Sequence, residues 1–295
     1  MPQSAEVIWR DGTFRPSEGA IDANDRGLLL ADGVFDTALV LNGRVFRRQD
    51  HLARLAAACS TLQIPAETAL LRSAMAALAG RCGDGSIRLT VTRGPAPRGL
   101  AFPAAPKPTI LGSYAPLAPA LMFRPVALAT AAIRRNETSP TSRVKTLSYL
   151  DAVLAAEAAK AAGADDALFL NGAGRIASTN LANLFLLQSD RLSTPALSEG
   201  VLPGITRSWI IADADAAGLR VEEREISPDI PAGAAVFATN SLRLIAPVAS
   251  LDGKTLPKHP AILALATRLC EAIQAECGRD PREYGASLAA LAPAD

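Results

Sequence analysis

The chain has 295 residues, 49% of them apolar, and 30 Lys and Arg against 29 Asp and Glu give a formal net charge of +1. That length and apolar content suit a large buried core in two domains and exclude a disordered chain. The balanced charge, with no basic run and no alternation of aromatic and basic residues, excludes nucleic acid as the main partner. Four cysteines (Cys59, Cys82, Cys270, Cys277) lie far apart without CxxC spacing, so they read as buried thiols of a reducing compartment. Two histidines, His51 and His259, are too few for a multi-histidine metal centre, and no metal is expected. No apolar run is long enough to span a bilayer and the start lacks the apolar segment of a signal peptide, so a cytoplasmic protein without a membrane partner is expected.

In chain order, residues 5–9 and 12–14 read as a hairpin turning at Asp11-Gly12. Asp25-Arg26-Gly27 opens a loop into Leu28 to Asp36, and the strands 38–41 and 45–46 pair through Asn42-Gly43, a dipeptide suited to a primed turn. Helical spacing covers 49–61 and 66–79, with Pro65 at the junction. Ser86 to Arg93 alternates as a strand, a Gly- and Pro-rich loop runs from Gly94 to Pro108, and Thr109 to Tyr114 is a further strand. Pro116, Pro119 and Pro125 mark a boundary, giving a small domain over 1–118, a linker over 119–125 and a large domain over 126–295. The large domain reads as a strand over 126–132, a polar loop to Lys145 and a helix from about Leu147 to Ala162 with Gly163 at its end. Strands at 166–170, 183–187 and 191–194, a helix over 205–217, a strand over 236–239 and a helix over 260–277 follow, with a tail containing Pro281 and Pro293. Hairpins mixed with helices, without regular β-α alternation, give an α+β fold of two domains.

Lysine is scarce, and Lys145 stands between a polar run and an alanine-rich helix. An isolated lysine is usually a solvated surface residue. Gly204-Ile205-Thr206 opens a helix, where unpaired N–H groups and the dipole favour an anion such as a phosphate; the plain alternative is an ordinary N-cap. Thr239-Asn240-Ser241 offers further short donors at a strand end, or a plain polar turn. His51 and Arg54 are one helical turn apart, either facing a ligand or solvent. Arg93 and Arg98 flank Gly- and Pro-rich sequence suited to gripping a carboxylate.

Asp32-Gly33-Val34-Phe35, His51-x-x-Arg54-Leu55, Lys145-Thr146-Leu147-Ser148-Tyr149-Leu150, Asn183-Leu184-Phe185, Leu202-Pro203-Gly204-Ile205-Thr206-Arg207 and Thr239-Asn240-Ser241-Leu242 follow one another in order. Together, over about residues 5 to 275, they resemble the class IV aminotransferases, the fold-type IV pyridoxal-phosphate enzymes that include branched-chain and D-amino acid aminotransferases and 4-amino-4-deoxychorismate lyases. The resemblance implies a two-domain D-amino acid aminotransferase-like fold and pyridoxal 5'-phosphate as cofactor. It also implies amino acid and 2-oxo acid substrates and a homodimer. It makes Lys145 the lysine that forms the Schiff base and carries the proton. Arg54, Gly204, Ile205, Thr206, Asn240 and Ser241 become cofactor and phosphate contacts, and Tyr149 stands one position from a tyrosine placed by the phenolic oxygen. Phe35 becomes a pocket wall and Arg98 a carboxylate-gripping loop residue. One departure concerns Ser178, which occupies the place of a glutamate that keeps the pyridine nitrogen protonated. Glu157, Asp165 and Asp166 are candidate substitutes for that carboxylate. A serine there weakens the electron sink that transamination uses. The resemblance therefore implies an aminotransferase first, a pyruvate-releasing lyase second, and a cofactor-binding relic third.

Overall fold

Two compact units make up the chain, in a computed structural model that describes residues 7–292. Residues 5 and 6 of the expected first hairpin, and Pro293 of the tail, lie outside the described residues. The first unit takes the chain up to Leu117 together with Val144–Ser148 and Glu276–Gly278, and the second takes the remainder.

The first unit is built on a six-stranded antiparallel sheet. Its strands are β1 (Val7–Arg10), β2 (Thr13–Pro16), β3 (Gly33–Leu41), β4 (Arg44–Val45), β5 (Gly85–Thr92) and β6 (Thr109–Pro116), in the order β2-β1-β6-β5-β3-β4. A short helix α1 (Arg26–Leu30) precedes β3, and α2 (Arg48–Thr61) and α3 (Thr68–Cys82) supply Leu52, Leu55, Leu71, Met75 and Leu78 to the core. Ile87, Leu89 and Val91 alternate along β5 and meet that core, because successive side chains of a strand point to opposite faces. The segment around Lys145 docks on β3: the Phe35 N–H donates to the Lys145 carbonyl (2.9 Å) and the Leu147 N–H to the Gly33 carbonyl (3.0 Å). Those bonds hold residues 145–147 extended, so the following helix α4 (Leu150–Ala161) begins at Leu150 and not at Leu147 as the sequence suggests. Gly33 makes the docking possible, since a Cβ there would lie 2.7 Å from both Leu147 Cδ1 and the Val91 carbonyl oxygen.

The second unit carries β7 (Val126–Thr130), β8 (Asp166–Leu170), β9 (Ile176–Thr179), β10 (Asn183–Gln188), β11 (Arg191–Pro195), β12 (Arg220–Arg224), β13 (Ala235–Asn240), β14 (Leu244–Leu251) and β15 (Lys254–Thr255). They form one mixed sheet in the order β12-β11-β10-β13-β14-β7-β8-β9, with β15 on β14. Its inner face packs Val126, Leu128, Leu168, Leu170, Leu184, Leu186, Val236, Ala246 and Val248 into one core. On the outer face, the alanines of α4 cover Phe169, and α5 (Ile205–Asp213) lies over β13. The last helix is α6 (Pro260–Cys277). β9, β12, β14 and β15 have no counterpart in the sequence expectations. β14 is hidden by Pro247, a residue that argues against a central strand, and by an irregular register between Val248 and Ser250.

Phe185 and Phe237, neighbours across β10 and β13, stack at 5.0 Å with their planes 7° apart, and both are fully buried. Phe237→Ala is expected to destabilise the protein by about 3–5 kcal/mol, read as a lowered guanidinium chloride midpoint. Leu100→Ala, at a site 82% exposed, should stay within about 0.5 kcal/mol.

Candidate functional site

In the first unit the side chains of chemical interest gather on β3. Phe35 and Asp36 are consecutive, so they point to opposite faces. On one face the Lys145 Nζ lies 4.4 Å from the centre of the Phe35 ring, and the Arg88 guanidinium lies 3.6 Å from it. On the other face Asp36 meets α2. The Arg54 fork donates from Nε to Oδ2 (2.8 Å) and from Nη2 to Oδ1 (2.9 Å), while the His51 Nδ1 is 2.6 Å from Oδ1. His51 and Arg54 reach one carboxylate because residues three apart share a helix face. Both Asp36 and His51 are almost fully buried. Burial alone would raise the Asp36 pKa, but the charges of Arg54 and His51 and their hydrogen bonds bring it down to about 2. His51 is thus a buried partner of Asp36 and does not face a ligand. Asp36 belongs to none of the sequence-based site expectations, although a lone acid inside the apolar strand Gly33–Leu41 is a signal that some cation must be buried with it.

The arginines of the glycine-rich stretch differ from one another. Arg93 is buried, with its fork on Asp32 (2.7 and 3.0 Å) and its remaining donors on the Leu62 and Gln63 carbonyls, so it is not a loop residue available to a carboxylate. Arg98 is exposed. The loop that carries it is clamped by Arg26, which donates to the carbonyls of Gly99, Leu100 and Ala101 and to Asp32.

In the second unit a cup forms where β10 and β13 meet the start of α5. Gly204 is the N-cap of α5 and no side chain caps the helix, so its first N–H groups have no intrahelical partner. Asn183, which donates from Nδ2 to the Leu202 carbonyl (2.9 Å), packs so closely that a Cβ at Gly204 would sit 2.0 Å from its Oδ1. Thr239 is the register partner of Asn183, and its buried hydroxyl has no hydrogen-bond partner among the described residues. An uncapped helix start, a glycine dictated by space and an orphaned hydroxyl fit a phosphate-sized anion. Thr206 is buried in the first turn of α5. The Asn240 Oδ1 accepts from the Leu242 and Arg243 N–H groups and so closes the turn that presents Ser241.

Ser178, on β9, is the register partner of Phe169 and shares the outer face with it. None of the three candidate substitutes for its missing carboxylate stands there. Asp166 lies on the face of Leu168 and Leu170 and accepts from Asn180 Nδ2 (2.7 Å), Asp165 accepts from the Ala127 N–H, and Glu157 is exposed on α4. Tyr149, half-buried, is the N-cap residue of α4.

Residues 33–251 match the family model described as amino-transferase class IV. The chain is similar to a putative branched-chain-amino-acid aminotransferase of Methanocaldococcus jannaschii, at 31% identity over 84% of this chain and 89% of the relative. It is also similar to a D-alanine aminotransferase of Bacillus licheniformis, at 27% identity over 85% of this chain and 90% of the relative. The crystal structure of 4-amino-4-deoxychorismate lyase from Pseudomonas aeruginosa superposes with a TM-score of 0.82 at 31% identity, covering 90% of this chain and 98% of that one.

Because the Asp36 pKa is depressed, its contribution to stability is complete above the ordinary carboxylate range and is lost as the pH falls through about 2. A shift from 3.8 to about 2 corresponds to about 2 kcal/mol, so wild-type stability should fall by that amount between pH 4 and pH 2. Asp36→Asn should lose this slope and be less stable by about 3–5 kcal/mol at pH 7, because Arg54 and His51 lose the buried carboxylate they share. Gly204→Ala is expected to weaken phosphate binding at least tenfold by calorimetry with unchanged circular dichroism; equal affinity would remove the cup from the site.

Proposed function

The chain belongs to the amino-transferase class IV family, and from that premise we propose that it moves an amino group between an amino acid and a 2-oxo acid with pyridoxal phosphate. The bound cofactor supplies an aldehyde that takes up amines and a ring that draws electrons from the adjacent carbon. The remaining work falls to the chain. Lys145 Nζ is the nucleophile and the proton carrier, on a backbone tied to β3. Gly204, Ile205 and Thr206 hold the phosphate with backbone N–H groups and a hydroxyl, with Asn240 and Ser241 beside them. Arg54, oriented by Asp36, adds the cation. Phe35 is the wall beside the lysine, Tyr149 is the hydroxyl for the phenolic oxygen, and Arg98 is a carboxylate grip on an exposed loop. The observation that carries this reading is Lys145 held over Phe35 by a backbone tied to β3.

A second reading is a lyase that releases pyruvate by β-elimination. Ser178 favours it, because a neutral hydroxyl at the ring nitrogen gives a weaker electron sink and no carboxylate among the three candidates replaces it. The exposed Leu150, Val153 and Leu154, spaced as one face of α4, support a second copy of the chain as partner. Cys59, Cys270 and Cys277 as buried free thiols support a cytoplasmic setting.

Purified protein should take up pyridoxal phosphate with the absorbance of a lysine Schiff base, and Lys145→Ala should fold normally without that band. Titration with L- and D-amino acids then separates the readings. Spectral conversion that needs a 2-oxo acid to reverse identifies the aminotransferase, and pyruvate released without an acceptor identifies the lyase. A protein that never takes up the cofactor overturns both.

A further inference from the structure

We propose that Arg135 is an anion-binding residue that takes a carboxylate of the substrate. Its backbone is fixed on both sides beside the end of β8: the Arg135 N–H donates to the Leu170 carbonyl (2.9 Å) and the Arg135 carbonyl accepts from Gly172 N–H (3.2 Å). From that anchor the guanidinium lies 4.5 Å from the centre of the Phe169 ring. The ring is an immobile platform, buried and packed against Ala155, Ala159 and Ala167. A cation seated on an aromatic face keeps its in-plane N–H donors for another group.

Arg135 lacks what the comparable arginines of this chain have. Arg26 and Arg93 share Asp32, Arg54 has Asp36, Arg175 has Glu199 and Arg207 has Glu223. Among the described residues no carboxylate lies within ion-pair distance of the half-buried Arg135, and no hydrogen bond reaches its guanidinium. Burial pulls its pKa below the ordinary value, and Tyr149 and Asp151 at the start of α4 act in the opposite direction. A cation held partly out of water without a counter-ion is costly, and a ligand carboxylate meeting the planar fork with two hydrogen bonds removes that cost. The position suits a ligand of the outer face, because Phe169 is the register partner of Ser178 and Tyr149 stands on the adjoining helix.

The identity of the anion as a substrate carboxylate rests on the class IV reading; the anion site itself does not. The probe is succinate, with uncharged succinamide as its control. Titrated into cofactor-loaded protein, succinate should shift the Arg135 Nε–Hε resonance saturably, and succinamide should not; the resonance is assigned by its disappearance in Arg135→Gln. That variant should bind succinate about 10- to 100-fold more weakly, as expected for loss of a charge-assisted pair of hydrogen bonds. It should raise KM for the 2-oxo acid by a similar factor, with kcat within about threefold and the Schiff-base band unchanged. Arg135→Lys should recover part of the affinity, since it restores the charge without the fork. Succinate that leaves the Arg135 resonance unmoved, or binds Arg135→Gln as tightly as wild type, overturns the proposal. Succinate binding at Arg135 in a protein that forms no Schiff-base band would overturn the proposed aminotransferase activity and leave the anion site standing.

Discussion

The two backbone hydrogen bonds between β3 and the Lys145 segment decide where the amine can be. A lysine side chain has a long flexible stem, so its ammonium is placed only when backbone and stem are both restrained. Here the Phe35 N–H and the Gly33 carbonyl restrain the backbone, and the Phe35 ring lies under the end of the stem. The docking returns a short stretch to the first unit after the chain has entered the second. β3 must therefore stay straight and buried on both faces, which its nearly continuous apolar sequence and pairing with β5 provide.

Asp36 gives the same strand an electrostatic role. A buried carboxylate is tolerable only with enough opposite charge and hydrogen bonding, and Arg54 and His51 supply both. Besides its contribution to stability, the arrangement sets an orientation. Bound at Nε and Nη2, the planar guanidinium of Arg54 has its orientation set, and α2 is fastened to β3 at the same time. Backbone pinning and side-chain pairing thus define the lysine and the arginine from a single element.

Much of this was legible in the residues, and what was not has physical reasons. The α2 and α3 helices, the β5 alternation and the Asn42-Gly43 turn are local signals, and the structure contains them within a few residues. β14 was obscured because Pro247 breaks the pattern that a central strand normally shows, and β9 and β12 are short and depend on their neighbours for pairing. Local sequence does not reveal that the residues before α4 give their N–H and carbonyl groups to β3, so its helical signal begins earlier than the helix. Lys145, Arg54 and Gly204 each sit in a compact run that local sequence displays, whereas the partners of Asp36 are distant in sequence and Arg135 is distinguished by a carboxylate it lacks. Arg93 differs from its local signal for the same reason: glycine and proline beside it suggest a loop, but Asp32 and two carbonyls draw it into the interior.

The bare α-carbon of Gly33 has a consequence for how such a chain can diversify. The spacing between β3 and the lysine segment is set by the absence of a single methyl group, because any side chain at that point would meet Leu147 and the Val91 backbone together. Drift at residue 33 cannot be absorbed by a small rotation of one flexible neighbour. The exposed loop around Arg98 is under a looser constraint, because Arg26 anchors it through carbonyls and hence without regard to side-chain identity. The lineage can vary what the loop displays while the seat of the amine remains frozen.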